Sequence, residues 1–279
     1  MTRLEWLINQ SNLNIYEFNV EQRKEMCQID RLFSFYVMSY IQEGSAKAVV
    51  DGQLLEQPAG TVLLVPAHVK HSHFIPEGSD LTTFLWWHFT ITTSALDIMK
   101  FIHFPITFEL KDRETFEKMF YEYMEIREKK LTLPSLVQKK AKEFEIMAFL
   151  FESILDMEHG MDSTLDEIPD EFFIMMQDII EHPERNASLQ ELSDRYHLHS
   201  TYISNRFKKI FGITPMKLHN QVLVERIKSE LMKTSAPQIA ALANEFGFKD
   251  TSSFTHFFTT HAGCSPTDFW KRDQKSAGR

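Results

Sequence analysis

The chain has 279 residues, 43% of them hydrophobic and 25% charged, with a formal net charge of −9. That length accommodates two domains with sizeable cores, the composition is that of a soluble globular protein, and no apolar run is long enough to span a membrane. The acidic balance argues against a nucleic-acid partner until the chain is divided: residues 187–279 hold 13 Lys/Arg against 8 Asp/Glu, a net +5, which leaves −14 on the preceding 186 residues. An acidic front and a basic back point to two domains with different partners.

From Leu32 to Ile91 the sequence reads as short strands. RLFSFYVMSYI, KAVVDGQLLEQ, GTVLLVPA and LTTFLWWHFTI are β-branched and aromatic runs separated by Glu-Gly, Asp-Gly and Ala-Gly turn signals. Asp51-Gly52 is the pair expected of a two-residue hairpin. The regular spacing predicts a sandwich or barrel. Over residues 112–159 the period turns helical, with Phe116, Met119, Phe120 and Tyr123 at i, i+3, i+4, i+7. A second helix follows Leu133-Pro134. It sets Val137, Ala141, Phe144, Ala148, Phe151 and Leu155 on a seam of coiled-coil spacing, beside a second apolar face of Met147, Leu150 and Ile154. Such a helix has one face for its own domain and one for a second subunit. The acidic, Pro-containing GMDSTLDEIPDE reads as a linker. Two cysteines far apart, Cys27 and Cys264, do not make a disulfide framework, and MTRLEWLINQSNLN lacks a secretory apolar core. A reducing cytoplasm is therefore expected.

Beyond the linker one frame occurs twice. STYISNRFKKIFGITP (Ser200–Pro215) returns as TSSFTHFFTTHAGCSP (Thr251–Pro266), with Phe207 on Phe258, Gly212 on Gly263 and Pro215 on Pro266. Each copy has a lead-in helix. Leu189, Leu192 and Ser193 face inward in the first, behind a Ser188–Glu191 capping box; Ile239, Leu242 and Ala243 do so in the second. A tight turn follows, at His197-Leu198 and at Gly247-Phe248, and then a helix that packs through Tyr202, Ile203 and Phe207 or through Phe254 and Phe258. Asp250 is the expected N-cap of the last helix and Gly263 its stop. Helix, tight turn, helix with an outward polar face is the helix-turn-helix arrangement. The copies differ in charge, for Arg206, Lys208 and Lys209 have no Lys or Arg counterpart in the second.

YISNRFKKIFGITP, IAALANEFGFKDTSSF and GCSPTDFW resemble the DNA-binding domain of the AraC/XylS family of bacterial transcription regulators. That resemblance implies a domain over residues 172–275 whose second helices read bases. Carried over by position, Ser200, Thr201, Ser204 and Asn205 face DNA from the first motif, with Arg206, Lys208 and Lys209 over phosphates. Thr251, Ser252, Thr255 and His256 do so from the second. His256, Thr259 and Thr260 depart from the basic residues common in the family there, so the first motif is expected to anchor most of the electrostatic binding.

Residues 30–95 resemble, more loosely, the cupin-type effector domain often joined to this DNA-binding domain. The resemblance implies an α+β protein with a β-barrel effector domain (1–110), a helical dimerisation segment (111–160), a linker (161–171) and the all-α DNA-binding domain. It also implies an effector pocket, and the matching positions are His71 and His73 on one strand, Trp86 and His88 on another. A Trp platform beside imidazoles suits a small polar effector, a carbohydrate among the candidates. His71-Ser72-His73 with Glu77 imitates a metal-binding spacing. The earlier element of a cupin metal site should fall in GSAKAVVDGQLLEQ, which holds no His or Cys, so neither metal nor cofactor is expected. The expected function is a non-enzymatic regulator of transcription that binds double-stranded DNA as a homodimer. It contacts RNA polymerase if it activates, as most of the family do. A cupin-type metalloenzyme with an accessory nucleic-acid module is the alternative.

Overall fold

The computed structural model describes residues 1–94, 96–130, 132–155, 162–185, 188–233 and 237–277. The chain forms two compact units, one from Met1–Thr93 and Asp97–Leu165, the other from Asp166–Arg279 with the short Ser94–Leu96 piece. Residues 156–161, where the expected dimerisation segment passes into the expected linker, lie outside the described residues.

The front unit opens with α1 (Arg3–Asn9), started by a capping box between Thr2 and Glu5. Then follow β1 (Ser11–Arg23), β2 (Met26–Arg31), β3 (Tyr36–Glu43), β4 (Ser45–Val50), β5 (Gln53–Pro58), β6 (Thr61–Val65), β7 (His71–Ile75) and β8 (Thr82–Thr93). The short β9 (Leu96–Asp97), β10 (Ile102–His103) and β11 (Thr107–Glu109) come next. Asp51 and Gly52 both take positive φ, 49° and 80°, so the β4–β5 hairpin closes through the two-residue turn its sequence predicts.

Two antiparallel sheets, β1-β8-β3-β6-β11 (with β9 paired to β8) and β2-β7-β4-β5, make the body of the front unit, each with free ends, while β10 pairs separately with a short β12 (Asp162–Ser163). Among the described residues no strand is paired into both sheets, so of the sandwich or barrel that the strand spacing predicts, the unit takes the open two-sheet form. Its interior is built from Val37, Leu63 and Val65 of the first sheet against Ala48 and Val50 of the second, and from Ile41 and Phe84 against Ala46 and Ile75.

The other face of the first sheet is covered by α2 (Arg113–Glu128), where Phe116, Met119, Phe120 and Tyr123 are all buried, as their spacing predicts. The strand period of two divides the Trp86-Trp87-His88-Phe89 run accordingly. Trp87 stacks on Phe120 at 5.9 Å, with Phe18 between β1 and α2 at 3.9 Å from the Phe120 ring. Trp86 and His88 face into the sandwich.

In α3 (Leu133–Leu155) the buried residues are Glu143, Ile146, Met147, Leu150 and Ile154. The Glu143 carboxylate accepts from Tyr123 Oη at 2.9 Å and meets Lys140 at 3.2 Å, so the acid is paired inside the α2–α3 contact. The seam of coiled-coil spacing lies on the opposite side, with Val137, Phe144 and Leu155 exposed.

The second unit is helical: α4 (Asp170–Glu181), α5 (Leu189–Tyr196), α6 (Ser200–Phe211), α7 (Pro215–Lys233), α8 (Ile239–Glu245), α9 (Thr251–Ala262) and α10 (Pro266–Ala277). The long α7 packs against α4 and α6 as well as against α9 and α10, and so serves both helix pairs. Arg226 donates to the Ile180 and Glu181 carbonyls at 3.0 and 2.6 Å, putting a cation on the C-terminal end of α4. His219 Nε2 donates to the Pro183 carbonyl at 2.5 Å, which satisfies an imidazole buried in α7.

Candidate functional site

In the second unit, α5–α6 and α8–α9 are two copies of one device. Ser188 caps α5 by accepting from the Glu191 amide at 3.2 Å. The Ser188 hydroxyl in turn donates to the Glu191 carboxylate at 3.1 Å. The turn runs through His197 in the left-handed region (φ 53°), held by Ser193 Oγ donating to the Leu198 carbonyl at 2.7 Å. His199 then caps α6, its Nδ1 accepting from the Thr201 amide at 3.3 Å. Ile203 and Phe207 are fully buried and fix which face of α6 turns outward. Tyr202 was expected to pack but is 49% exposed, meeting Phe172 edge-on at 5.9 Å; it stands one position beyond the buried stripe.

The outward face of α6 presents Thr201, Asn205, Lys208 and Lys209 exposed, with Ser200, Ser204 and Arg206 half-buried at its borders. Neither lysine has an ion-pair partner among the described residues, so their charge is free for a ligand.

In the second pair Gly247 makes the turn at φ 73°, and Asp250 caps α9 by accepting from the Ser253 amide at 2.7 Å. Phe254 and Phe258 are fully buried. Thr251, Ser252 and His256 are exposed and Thr255 is half-buried, all on the outward side. Thr259 and Thr260 donate their hydroxyls to the Thr255 and His256 carbonyls one turn back, at 2.7 and 2.8 Å, so neither threonine has a free hydroxyl proton to offer. Exposed Lys249 in the preceding turn is a cation that the repeat comparison passed over, because it lies just outside the repeated frame.

The front unit holds a cavity of about 130 Å³ between its sheets. His73, Trp86 and His88 line it together. His71 does not: its Nδ1 donates to the Val69 carbonyl at 3.0 Å, and its ring lies edge-on to His73 and against Phe33, behind the cavity wall.

Burial holds His73 down to about 3, with His71, Arg31 and His88 nearby adding to the effect. Burial likewise lowers His71, and it lowers His88 against the opposing pull of Glu17. All three are neutral imidazoles at neutral pH, each offering one donor and one acceptor nitrogen.

Strands β1 and β2 supply lining that the sequence reading missed. Glu17 Oε2 lies 3.1 Å from His88 Nδ1, and Glu21 accepts from Trp86 Nε1 at 3.2 Å. Arg31 donates to Gln28 and lies over the Phe33 ring. Ser39 and Gln57 complete the polar wall, with Val37, Ile41, Ala46 and Phe84 as its apolar part. Among the described residues no group of three His, Cys, Asp or Glu side chains is placed to hold a metal ion. No described helix is long and apolar enough to cross a membrane.

Two helix-turn-helix pairs sharing one central helix, each presenting a polar second helix, define a DNA-binding domain. A family model described as a helix-turn-helix domain matches residues 192–272. Over 97% of its length the chain is 23% identical to the Msm operon regulatory protein of Streptococcus mutans, covering 98% of that protein. Over 37% of this chain, and 36% of the relative, it is 26% identical to the raffinose operon transcriptional regulatory protein RafR of Pediococcus pentosaceus. The fatty-acid-bound ToxT of Vibrio cholerae aligns over 92% of this chain and 95% of its own at a TM-score of 0.37 and 14% identity. Residues 192–272 therefore carry a helix-turn-helix domain of the AraC type, on a chain that is similar over nearly its whole length to a protein named as an operon regulator.

Proposed function

We propose that this regulator senses a small neutral polyhydroxylated molecule, a carbohydrate, in the front cavity and alters transcription by changing how its DNA-binding units engage tandem half-sites. The observation that carries the sensor assignment is the cavity itself. An indole, neutral imidazoles, two carboxylates, two amides and a guanidinium line a space inside an otherwise apolar sandwich. Polar side chains inside a core are costly unless something satisfies them, and sugars combine hydroxyl pairs with an apolar ring face that suits Trp. The name of the Pediococcus relative, a raffinose-operon regulator, supports a carbohydrate. For the ligand to act, it must bind one arrangement of the protein better than the other.

In this proposal Ser200, Thr201, Ser204 and Asn205 of α6 meet bases, and Arg206, Lys208 and Lys209 meet phosphates. Thr251, Ser252, Thr255 and His256 form the second, less charged contact. The exposed seam of α3 pairs two copies as a homodimer in the cytoplasm. The regulator is not an enzyme, and it activates through contact with RNA polymerase.

Genome-wide occupancy mapping, with and without neutral saccharides in the medium, tests the proposal. Occupancy at discrete sites beside carbohydrate-utilisation operons, altered by one saccharide, is expected. Discrete sites that respond to no saccharide would remove the carbohydrate sensor.

A further inference from the structure

Among the described residues, Gln57 is the side chain lining the front cavity whose polar atoms are fully buried without a hydrogen-bond partner. It is 1% exposed, it lines the cavity from β5, and neither its Nε2 nor its Oε1 has a hydrogen-bond partner. Three pairs of the other polar lining groups are engaged with one another. Glu21 holds the Trp86 indole, Glu17 meets His88, and Arg31 is tied to Gln28. Exposure falls from 61% at the Glu17 side chain to 1% at Gln57, so the carboxylate marks the mouth and the amide the closed end.

The local sequence makes this placement deliberate in physical terms. Strand β5 alternates, and Gln57 takes the inward position opposite Ala46, where an apolar residue would complete the Ile41, Ala46, Phe84 wall. A primary amide carries two donors and an acceptor, and its burial without partners is unfavourable unless a ligand supplies them.

We propose that Gln57 is the specificity-determining residue of the effector cavity, its amide pairing with two adjacent hydroxyls of the ligand, one accepting from Nε2 and one donating to Oε1. The assignment rests on the carbohydrate reading of that cavity. It selects among carbohydrates by position, because a ligand lacking either hydroxyl leaves one amide atom unpaired and a ligand lacking both gains nothing at the closed end. A site built around such a pair discriminates more sharply than an apolar pocket does, since the penalty falls on the buried group left behind.

The test uses the full chain and the variants Gln57→Leu and Gln57→Glu. Calorimetry against a panel of neutral mono-, di- and trisaccharides comes first, then calorimetry against the deoxy forms of whichever saccharide binds. Thermal melting of each protein without ligand runs alongside. Gln57→Leu should melt at or above the wild-type temperature without ligand, because it removes an unpartnered buried amide while keeping the side-chain volume. The same variant should bind the active saccharide about 10- to 100-fold more weakly. One pair of deoxy forms should lose affinity on the wild type and lose nothing further on Gln57→Leu. A ligand-free Gln57→Leu that melts well below wild type would mean that the amide supports the fold, and would overturn the assignment. So would full affinity in that variant. If no saccharide binds the wild-type chain, the carbohydrate reading itself fails and this assignment goes with it. A saccharide that binds wild type and Gln57→Leu equally removes only the role of Gln57.

Discussion

Replacing Lys208 and Lys209 together with Ala is the perturbation that most directly separates the two helix pairs. Both lysines are exposed near the C-terminal end of α6, among the last-turn basic residues, and neither has an ion-pair partner among the described residues. Their removal leaves the buried Ile203 and Phe207 untouched, so the unit should fold as before. If each lysine neutralises one phosphate, the slope of log affinity against log salt becomes shallower by about 1.8. Between roughly 50 and 200 mM salt the wild type then loses about twelvefold more affinity than the double variant. Thr259→Ala is the matched control on α9. Its hydroxyl donates to the Thr255 carbonyl and so has no free proton for a phosphate. Fluorescence anisotropy on one duplex across a salt series reads both slopes. Equal slopes for the double variant and the Thr259 control would refute the asymmetry.

Acidification should weaken the front unit. Unfolded imidazoles take up protons near 6.5, whereas burial holds folded His73 at about 3 and also lowers His71 and His88. The stability that these groups contribute is therefore complete above about pH 6.5 and falls as the pH drops below it, for His73 down to about pH 3, by up to about 1.4 kcal/mol per pH unit for each neutral imidazole. Urea midpoints near neutrality and about one unit below 6.5 check this, and a midpoint that does not move contradicts the burial. On α3, Val137→Glu with Phe144→Glu should reduce the sedimenting mass to that of one chain without lowering the melting temperature, since the two sites are 60% and 37% exposed; an unchanged mass would dismiss that face as the dimer contact. Gly263→Ala should cost the second unit about 1 kcal/mol. Its φ is +75° and an added Cβ would meet nothing, so the whole penalty is backbone strain, and an unchanged thermal midpoint would count against the αL stop.

The helix-turn-helix pairs were legible because their signals are local: the caps at Ser188 and Asp250, the left-handed glycines, and the buried Phe207 and Phe258 all lie within a few residues of what they fix. The front unit was legible only from β3 onward. In β1, Leu13 and Ile15 keep one phase and Phe18 and Val20 the other, because Tyr16 is an extra residue where the pairing with β8 slips between Ile15 and Glu17. That bulge broke the two-residue alternation that would have announced the strand, and with it went Glu17 and Glu21. Sheet closure is a long-range property, so nothing in the strand spacing could separate an open sandwich from a barrel. His71 and His73 share a strand face, as spacing requires, yet only His73 reaches the cavity, because the Val69 carbonyl and the Phe33 ring hold the other imidazole aside. Gln57 escaped notice for a related reason: a glutamine in a strand is unremarkable until both sheets are seen to close around it.

Selection of bound duplexes from a random pool by the full chain, sequenced after several rounds, tests the central claim most directly. Two α-helices presented from one unit through the shared α7 should enrich sites with two short preferred blocks about one helical turn apart. The block that loses its preference in Asn205→Ala should be the one whose binding depends more steeply on salt. A pool that shows no enriched sequence even at low ionic strength would contradict the account.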